Sequence, residues 1–239
     1  MTRTDSFLSE DEIQSFHDSI HLFPTNAQTL EHNKKMIKSL NTPVARSIAE
    51  DDTTYSTFFS EEEQLEKIVY LYKGKKVMLT SNLWVSAGLV NGSLGEIISI
   101  FYKESTSPPQ LPTFVVVEFP KYIGHAWDET NPTHLPIPAI KRNGRMQIPL
   151  KMAWALTIHK SQGMTLQKAT IDIGKTERQG LTFTAISRVP SLQSLRIFPA
   201  FSFDHFMKLK DNKNISRRKQ VEERLRSMSP TDDQLHSIC

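Results

Sequence analysis

Thr157-Ile158-His159-Lys160-Ser161-Gln162-Gly163 sets two hydroxyls, an imidazole, an ammonium and a glycine within one short string. Hydroxyls, cations and backbone N–H groups bind phosphate oxygens without reading bases. Gly163 would let the backbone approach a ligand closely. Further on, Gly180-Leu181-Thr182-Phe183-Thr184-Ala185-Ile186-Ser187-Arg188-Val189 ends in Arg188, beside Ser187. A guanidinium offers a planar fork that suits phosphate, and an arginine placed on a γ-phosphate stabilises the charge of phosphoryl transfer. Taken singly, a His or an Arg of this kind is usually a surface residue; the combination is what points to gripping a phosphate chain. The loop that would cradle such a chain, G-x-x-x-x-G-K-[ST], does not occur in the 239 residues. Lys75 and Lys76 follow Gly74, but the glycine five residues earlier and the Ser/Thr after the lysine are missing.

The elements that must position these groups read as two textures. Ile20-His21-Leu22-Phe23 is a short apolar run. Thr25 to Gln28 fits a capping box, with Thr25 as N-cap and Gln28 reaching back. Leu30, Ile37 and Leu40 mark one face of a helix, Asn41 suits a left-handed end, and Pro43 prevents continuation. Residues 42 to 66 are polar and acidic and read as a loop or loose helical excursion. Leu65 to Leu71 reads equally as a short helix or a strand, and Val77 to Thr80 as a strand. From there to about residue 148 the texture is all-β. Asn91-Gly92 and Asn143-Gly144 signal hairpin turns, Glu96 to Tyr102 and Thr113 to Phe119 read as strands, and prolines punctuate the loops. An α/β texture then resumes, with a strand at Ala169 to Ile173, a helix at Glu177 to Val189 stopped by Pro190, and a strand at Leu195 to Phe198. Phe201, Phe203 and Phe206 follow on a short element, and Arg217 to Arg226 reads as a surface helix with little apolar face.

Composition narrows the classes. The apolar share is 38%, with no run long enough for a membrane span, and Met1 to Ser6 has no apolar signal region. Cys239 is the lone cysteine, which excludes an internal disulfide and a cysteine zinc site and fits a reducing intracellular compartment. The net charge is +3, but from Thr130 to Ile171 there is no Asp or Glu, while Lys141, Arg142, Arg145, Lys151, Lys160 and Lys168 fall in that stretch. It reads either as a solvated face or as a track for a phosphate backbone. The acids gather at Glu50-Asp51-Asp52 and Glu61-Glu62-Glu63.

The two strings, at this spacing, resemble motifs V and VI of the PIF-type DNA helicases, the RecD-like branch of superfamily one that includes the helicase part of Helitron transposons. Leu22-Phe23-Pro24-Thr25-Asn26 resembles the family's motif IV region. Val77 to Leu83, with Gly88 to Gly92 and Gly95, resembles its entry into an SH3-like insert. The likeness covers about residues 7 to 205. It implies an α/β fold: a RecA-like second helicase lobe, a parallel sheet with flanking helices, formed by residues 1–78 and 149–210. That lobe is interrupted by a small SH3-like all-β insert at 79–148, and 211–239 is a charged tail.

The resemblance also implies roles. Arg188 becomes the arginine finger, and Gln162 and Gly163 lie near the nucleotide's phosphates with it. Thr157, His159, Lys160 and Ser161 lie along single-stranded DNA. The family's activity is ATP-driven unwinding with 5′→3′ movement, using magnesium. The first lobe, with its phosphate loop and magnesium carboxylate, is not in this sequence. ATP and Mg²⁺ are therefore expected only with a separate or missing N-terminal lobe, and this chain alone should hold neither and hydrolyse nothing. The expected partner is single-stranded DNA, bound weakly, with salt sensitivity and without sequence preference, while changes in the acidic 50–63 stretch should be silent. A monomer, no membrane, and a nuclear or mitochondrial location complete the expectation. The alternative is a non-catalytic, helicase-derived nucleic-acid-binding or regulatory module, or the product of a truncated or decayed gene.

Overall fold

The structure, a computed structural model, describes residues 3–52, 54, 60, 65–174, 180–201 and 213–228. Among these, the strands in chain order are β1 (Ile20–Phe23), β2 (Ala45–Ile48), β3 (Glu50–Asp51), β4 (Ile68–Leu71), β5 (Lys76–Leu79), β6 (Leu94–Phe101), β7 (Phe114–Glu118), β8 (His134–Pro138), β9 (Ile140–Arg142), β10 (Arg145–Gln147), β11 (Leu150–Met152), β12 (Ala155–Thr157), β13 (Ala169–Ile171) and β14 (Leu195–Ile197). The α-helices are α1 (Glu10–Gln14), α2 (Asn26–Ser39), α3 (Leu181–Ile186) and α4 (Lys213–Met228).

One sheet is parallel, in the order β12-β1-β13-β14. Every residue of β12 and β13 is buried, as expected where a parallel sheet is covered on both faces. β1 lies between them, so the carboxyl ends of three strands, at Phe23, Thr157 and Ile171, reach the same edge. In open α/β sheets, ligands bind outside that edge. The N-terminal segment extends the far side: Thr4 bridges Ile197, and Arg196 holds the Asp5 carboxylate with two bonds of 2.7 Å.

α2 departs from its expected face. Leu30 is 55% exposed, and the buried residues are Thr29 and Asn33. Asn33 takes the place of an apolar contact by donating to Ala155 O at 3.3 Å and accepting from Ala155 N at 2.9 Å. The edge strand β12 is thereby satisfied by a side-chain amide instead of a further strand. Thr25 does cap α2, accepting from Gln28 N, but the Gln28 side chain bonds the Thr25 hydroxyl, so only half of the expected box forms. The complete box is at Ser9 and Glu12, on α1. Leu40 leaves the helix extended, and Asn41 is not left-handed.

The second sheet is antiparallel, in the order β11-β5-β6-β7-β8. Its core holds Val77, Leu79, Ile97, Val115, Val117, Ile137 and Leu150, together with Val69 and Leu71 from β4. The ambiguous segment at 65–71 is therefore a strand from Ile68. The strands that close this sheet, β5 and β11, lie on both sides of the expected 79–148 insert. The all-β unit thus takes in chain that was assigned to the parallel lobe, because β2 and β4 bury their apolar residues against it. Asn143 and Gly144, with φ of 49° and 79°, form the expected turn between β9 and β10. Only Gly92 of the Asn91-Gly92 pair has positive φ, so that turn is of another type.

The helix expected from Glu177 to Val189 is seen as α3. Residues 177–179 lie outside the described residues, as do Phe203, Phe206, Glu61, Glu62, Glu63 and residues 211–212 and 229–239 of the tail. α4 is exposed where its side chains are described. Among the described residues, no helix is long and apolar enough to cross a membrane.

Candidate functional site

The Thr157–Met164 string forms a tight loop at the carboxyl end of β12. Ile158 N donates to Phe23 O at 2.9 Å, which pins the loop to the end of β1. Ser161 N donates to Thr157 O and Ile158 O, Gln162 N to His159 O, and Met164 N to Ser161 O. Gly163 closes the turn at φ +82°, a conformation that costs a side-chain-bearing residue about 1 kcal/mol or more. Ile158 and Leu166 anchor the loop in the core at 0% and 3% exposure.

Two of the four expected DNA donors are occupied in building this loop. Ser161 is fully buried, and its hydroxyl donates to Ile158 O at 2.7 Å. Thr157 is also buried, and its hydroxyl accepts from Lys160 N at 3.3 Å. Neither hydroxyl faces solvent, so the expectation that these side chains line a strand is corrected: they shape the turn. His159, Lys160, Gln162 and Gly163 are exposed.

Arg188 falls after the C-terminus of α3, one residue beyond its cap Ser187. There its guanidinium closes both motifs together. Nε donates to Thr184 O at 2.9 Å, and Nη2 to the Ser187 hydroxyl at 2.8 Å. Nη1 reaches Ser161 O and Met164 O, both at 3.4 Å. Leu166 N in turn donates to Arg188 O at 2.8 Å. Gln162 and Gly163 lie between the two carbonyls that Nη1 bridges, so the three residues expected at the nucleotide are brought together.

The acid-free stretch from Thr130 to Ile171 is not an open track. Arg145, only 2% exposed, donates to both carboxylate oxygens of Asp51 (2.6 and 3.3 Å) and to Leu65 O. Lys141 pairs with Asp52 at 3.0 Å, and Lys151 with Glu66 at 3.5 Å. Acids that are distant in sequence thus answer three of the six cations. Lys168 donates to Ser15 O and lies over the Phe16 ring. Arg142 and Lys160 are exposed. Lys160 is held below the usual lysine pKa, first by partial desolvation and then by the charge of Lys151, with Glu66 opposing.

Further residues shape this edge. Gly174, at φ +71°, lies three residues beyond β13, where an added Cβ would come within 3.1 Å of Pro24 Cγ. Asn33 and Glu66 were hidden among ordinary polar positions; no local signal distinguishes a buried amide from a solvated one. Among the described residues no cluster of His, Cys, Asp or Glu could hold a metal ion. Two grooves among the described residues lie elsewhere, on the all-β unit.

No protein-family model matches the chain. It is 36% identical over 138 residues to the human ATP-dependent DNA helicase PIF1, a match over 56% of this chain and 20% of that protein. It is 34% identical over 166 residues to the mouse protein of the same name, over 69% of this chain and 24% of that protein. Among solved structures, the Pif1 helicase from Candida albicans aligns with a TM-score of 0.60 at 21% identity, over 92% of this chain and 56% of that one. A Bacteroides Pif1 bound to single-stranded DNA aligns with a TM-score of 0.55 at 18% identity, over 92% and 52%. These structural likenesses show the fold, the mixed α/β arrangement of a RecA-like helicase. The chain spans between 20% and 24% of the length of these two curated relatives. On its sequence, the chain belongs to the PIF-type helicases.

Proposed function

We propose that this chain is the second RecA-like lobe of an ATP-dependent PIF-type DNA helicase, with the all-β unit as its SH3-like insert. In this reading the lobe works in 5′→3′ translocation and duplex unwinding, opposite a first lobe that carries the phosphate loop. The observation that carries it is the clasp between Arg188 and the 161–164 loop, at the carboxyl edge of the parallel sheet. An arginine there is held by carbonyls instead of a carboxylate, so its charge stays available to a γ-phosphate. Gln162 and the backbone at Gly163 would approach the same phosphates, with Mg²⁺ brought by the first lobe. His159 and Lys160, exposed on the same loop, would hold the backbone of single-stranded DNA. Thr157 and Ser161 act by fixing the turn that presents them. The location, nuclear or mitochondrial, follows from the same reading.

The test is DNA-stimulated phosphate release after adding a first lobe that carries a phosphate loop. The chain alone should show no turnover, and the reconstituted pair should. Arginine fingers contribute roughly 10³- to 10⁵-fold in rate, and Arg188→Lys should fail nearly as badly as Arg188→Ala, because an ammonium lacks the planar fork. Near-normal turnover by the lysine variant would remove the finger role.

A further inference from the structure

Every N–H of the Arg188 guanidinium is a donor, and a guanidinium cannot accept. Nε is committed to Thr184 O, and Nη1 to the carbonyls of Ser161 and Met164. Nη2 carries two hydrogens. One goes to the Ser187 hydroxyl, and the other has no acceptor among the described residues. The Ser187 bond is the shortest of the set at 2.8 Å, while both Nη1 bonds are 3.4 Å. Bonds of that length hold loosely. The edge formed by Nε and Nη2 is therefore the one that fixes the guanidinium.

The chemistry of the partners settles which way the Ser187 hydroxyl points. Its own proton goes to Thr184 O at 3.1 Å, since a carbonyl can only accept. Thr184 O is also the acceptor for Nε. The Ser187 oxygen thus faces Nη2 with lone pairs, and the fork of the guanidinium closes on two acceptors that are bonded to each other. A planar fork held at both prongs has its plane defined.

A serine near a helix end often returns its proton to a carbonyl on the preceding turn. Ser187 is the C-cap of α3 and does so. That local role uses only the donor half of the hydroxyl. The helix end is also tied without it, because Ser187 N donates to Ala185 O and Phe183 O. The residue is exposed, so it fills no space in the core. What remains is the acceptor half, and it serves Arg188.

We propose that Ser187 is a positioning residue for Arg188. Its hydroxyl holds one Nη2 hydrogen so that the other is presented to the γ-phosphate. This rests on the reading of Arg188 as the arginine finger. Ser187 touches no nucleotide and acts through the guanidinium.

The chain is combined with a phosphate-loop lobe, and DNA-stimulated phosphate release is measured for Ser187→Ala, Ser187→Thr, Arg188→Ala and the double variant. Ser187→Ala should lower kcat by roughly 10- to 100-fold, the order expected when a catalytic group loses alignment. KM for ATP should stay within about twofold, since the lost contact matters in the transition state. Ser187→Thr keeps the hydroxyl and should restore most of the rate. With Arg188→Ala in place, Ser187→Ala should cost nothing further, because the two residues act as one unit. The 239-residue chain alone gives a second readout. Its Arg188 Nε–H signal, assigned by its loss in Arg188→Lys, should exchange slowly with water in the parent and in Ser187→Thr, and lose that protection in Ser187→Ala. Parent-like turnover by Ser187→Ala beside an inactive Arg188→Ala overturns this proposal alone. So does a further loss in the double variant, unchanged Nε–H protection in Ser187→Ala, or a defect that threonine does not rescue. Full turnover by Arg188→Ala would overturn the finger reading, and this proposal with it.

Discussion

His21 sits one strand turn below the proposed site and shows how the buried sheet controls charge. Its ring stacks on His32 at 4.2 Å and near Phe23 at 6.1 Å. Desolvation, then the charges of His32 and Arg196, lower its pKa from 6.5 to about 4. His32 is lowered too, by burial and by Lys35. The native state therefore keeps His21 neutral where the unfolded chain binds a proton. Stability is full above pH 6.5 and falls as pH drops toward about 4, since the unfolded state gains protons there first. At 1.36 kcal/mol per pKa unit the ceiling is about 3 kcal/mol. Asp5, lowered mainly by its hydrogen bond to Arg196, contributes to acid sensitivity only at lower pH. Urea midpoints measured between pH 7 and 4.5 should fall for the parent chain, and His21→Phe, which keeps the stack, should flatten most of that slope. An unchanged slope in the variant would mean that the ring is protonated in the folded chain.

Among the elements, the short strand β3 carries more than its length suggests. Asp51 pairs across to Arg145 on β10, and Arg145 is nearly buried. Removing one partner of such a pair leaves a charge with poor solvation, costing up to about 3–5 kcal/mol; the partial exposure of Asp51 argues for about 2–3. Asp51→Ala should therefore lower the urea midpoint clearly. Lys141→Ala, which breaks an exposed pair with Asp52, should cost no more than about 1 kcal/mol. Equal effects would mean that β3 is not held by Arg145. The same pair explains what could be read in advance. The two chemical strings were legible because their spacing is local, and so was the Asn143-Gly144 turn, whose geometry needs those residue types. The face of α2 was not, because Thr29 and Asn33 are buried where Leu30 was expected. The boundary of the all-β unit was missed because β4, β5 and β11 join it through contacts far apart in sequence. At the site, the string located Arg188, Gln162 and Gly163 together, but it could not reveal that the Thr157 and Ser161 hydroxyls are turned inward by the loop's own bonds.

Across the molecule, the distribution of charge matters more than the net +3. The acid-free stretch suggested a continuous basic track, with changes in the 50–63 acids silent. The folded chain instead sets Asp51, Asp52 and Glu66 against Arg145, Lys141 and Lys151. Lys160 then stands at the loop as an exposed cation, with Lys151 beside it restrained by Glu66. Binding of single-stranded DNA by this chain should be weak, nearer the roughly 10⁻⁴ to 10⁻⁶ M of non-specific contacts, and salt-sensitive. Each phosphate neutralised on a single strand adds about 0.7 to the slope of log affinity against log salt. Lys160→Ala should weaken binding and lower the slope by about that amount, and His159→Ala should weaken it as well. Lys141→Ala should do little, because Asp52 already answers that charge. Glu66→Gln should tighten binding and steepen the slope, since it frees Lys151 next to Lys160 for the same backbone. Anisotropy titrations with oligothymidylate over a salt series measure all four. If Glu66→Gln matches the parent chain while Lys160→Ala weakens binding, Lys151 faces away from the strand, and the loop alone carries the contact.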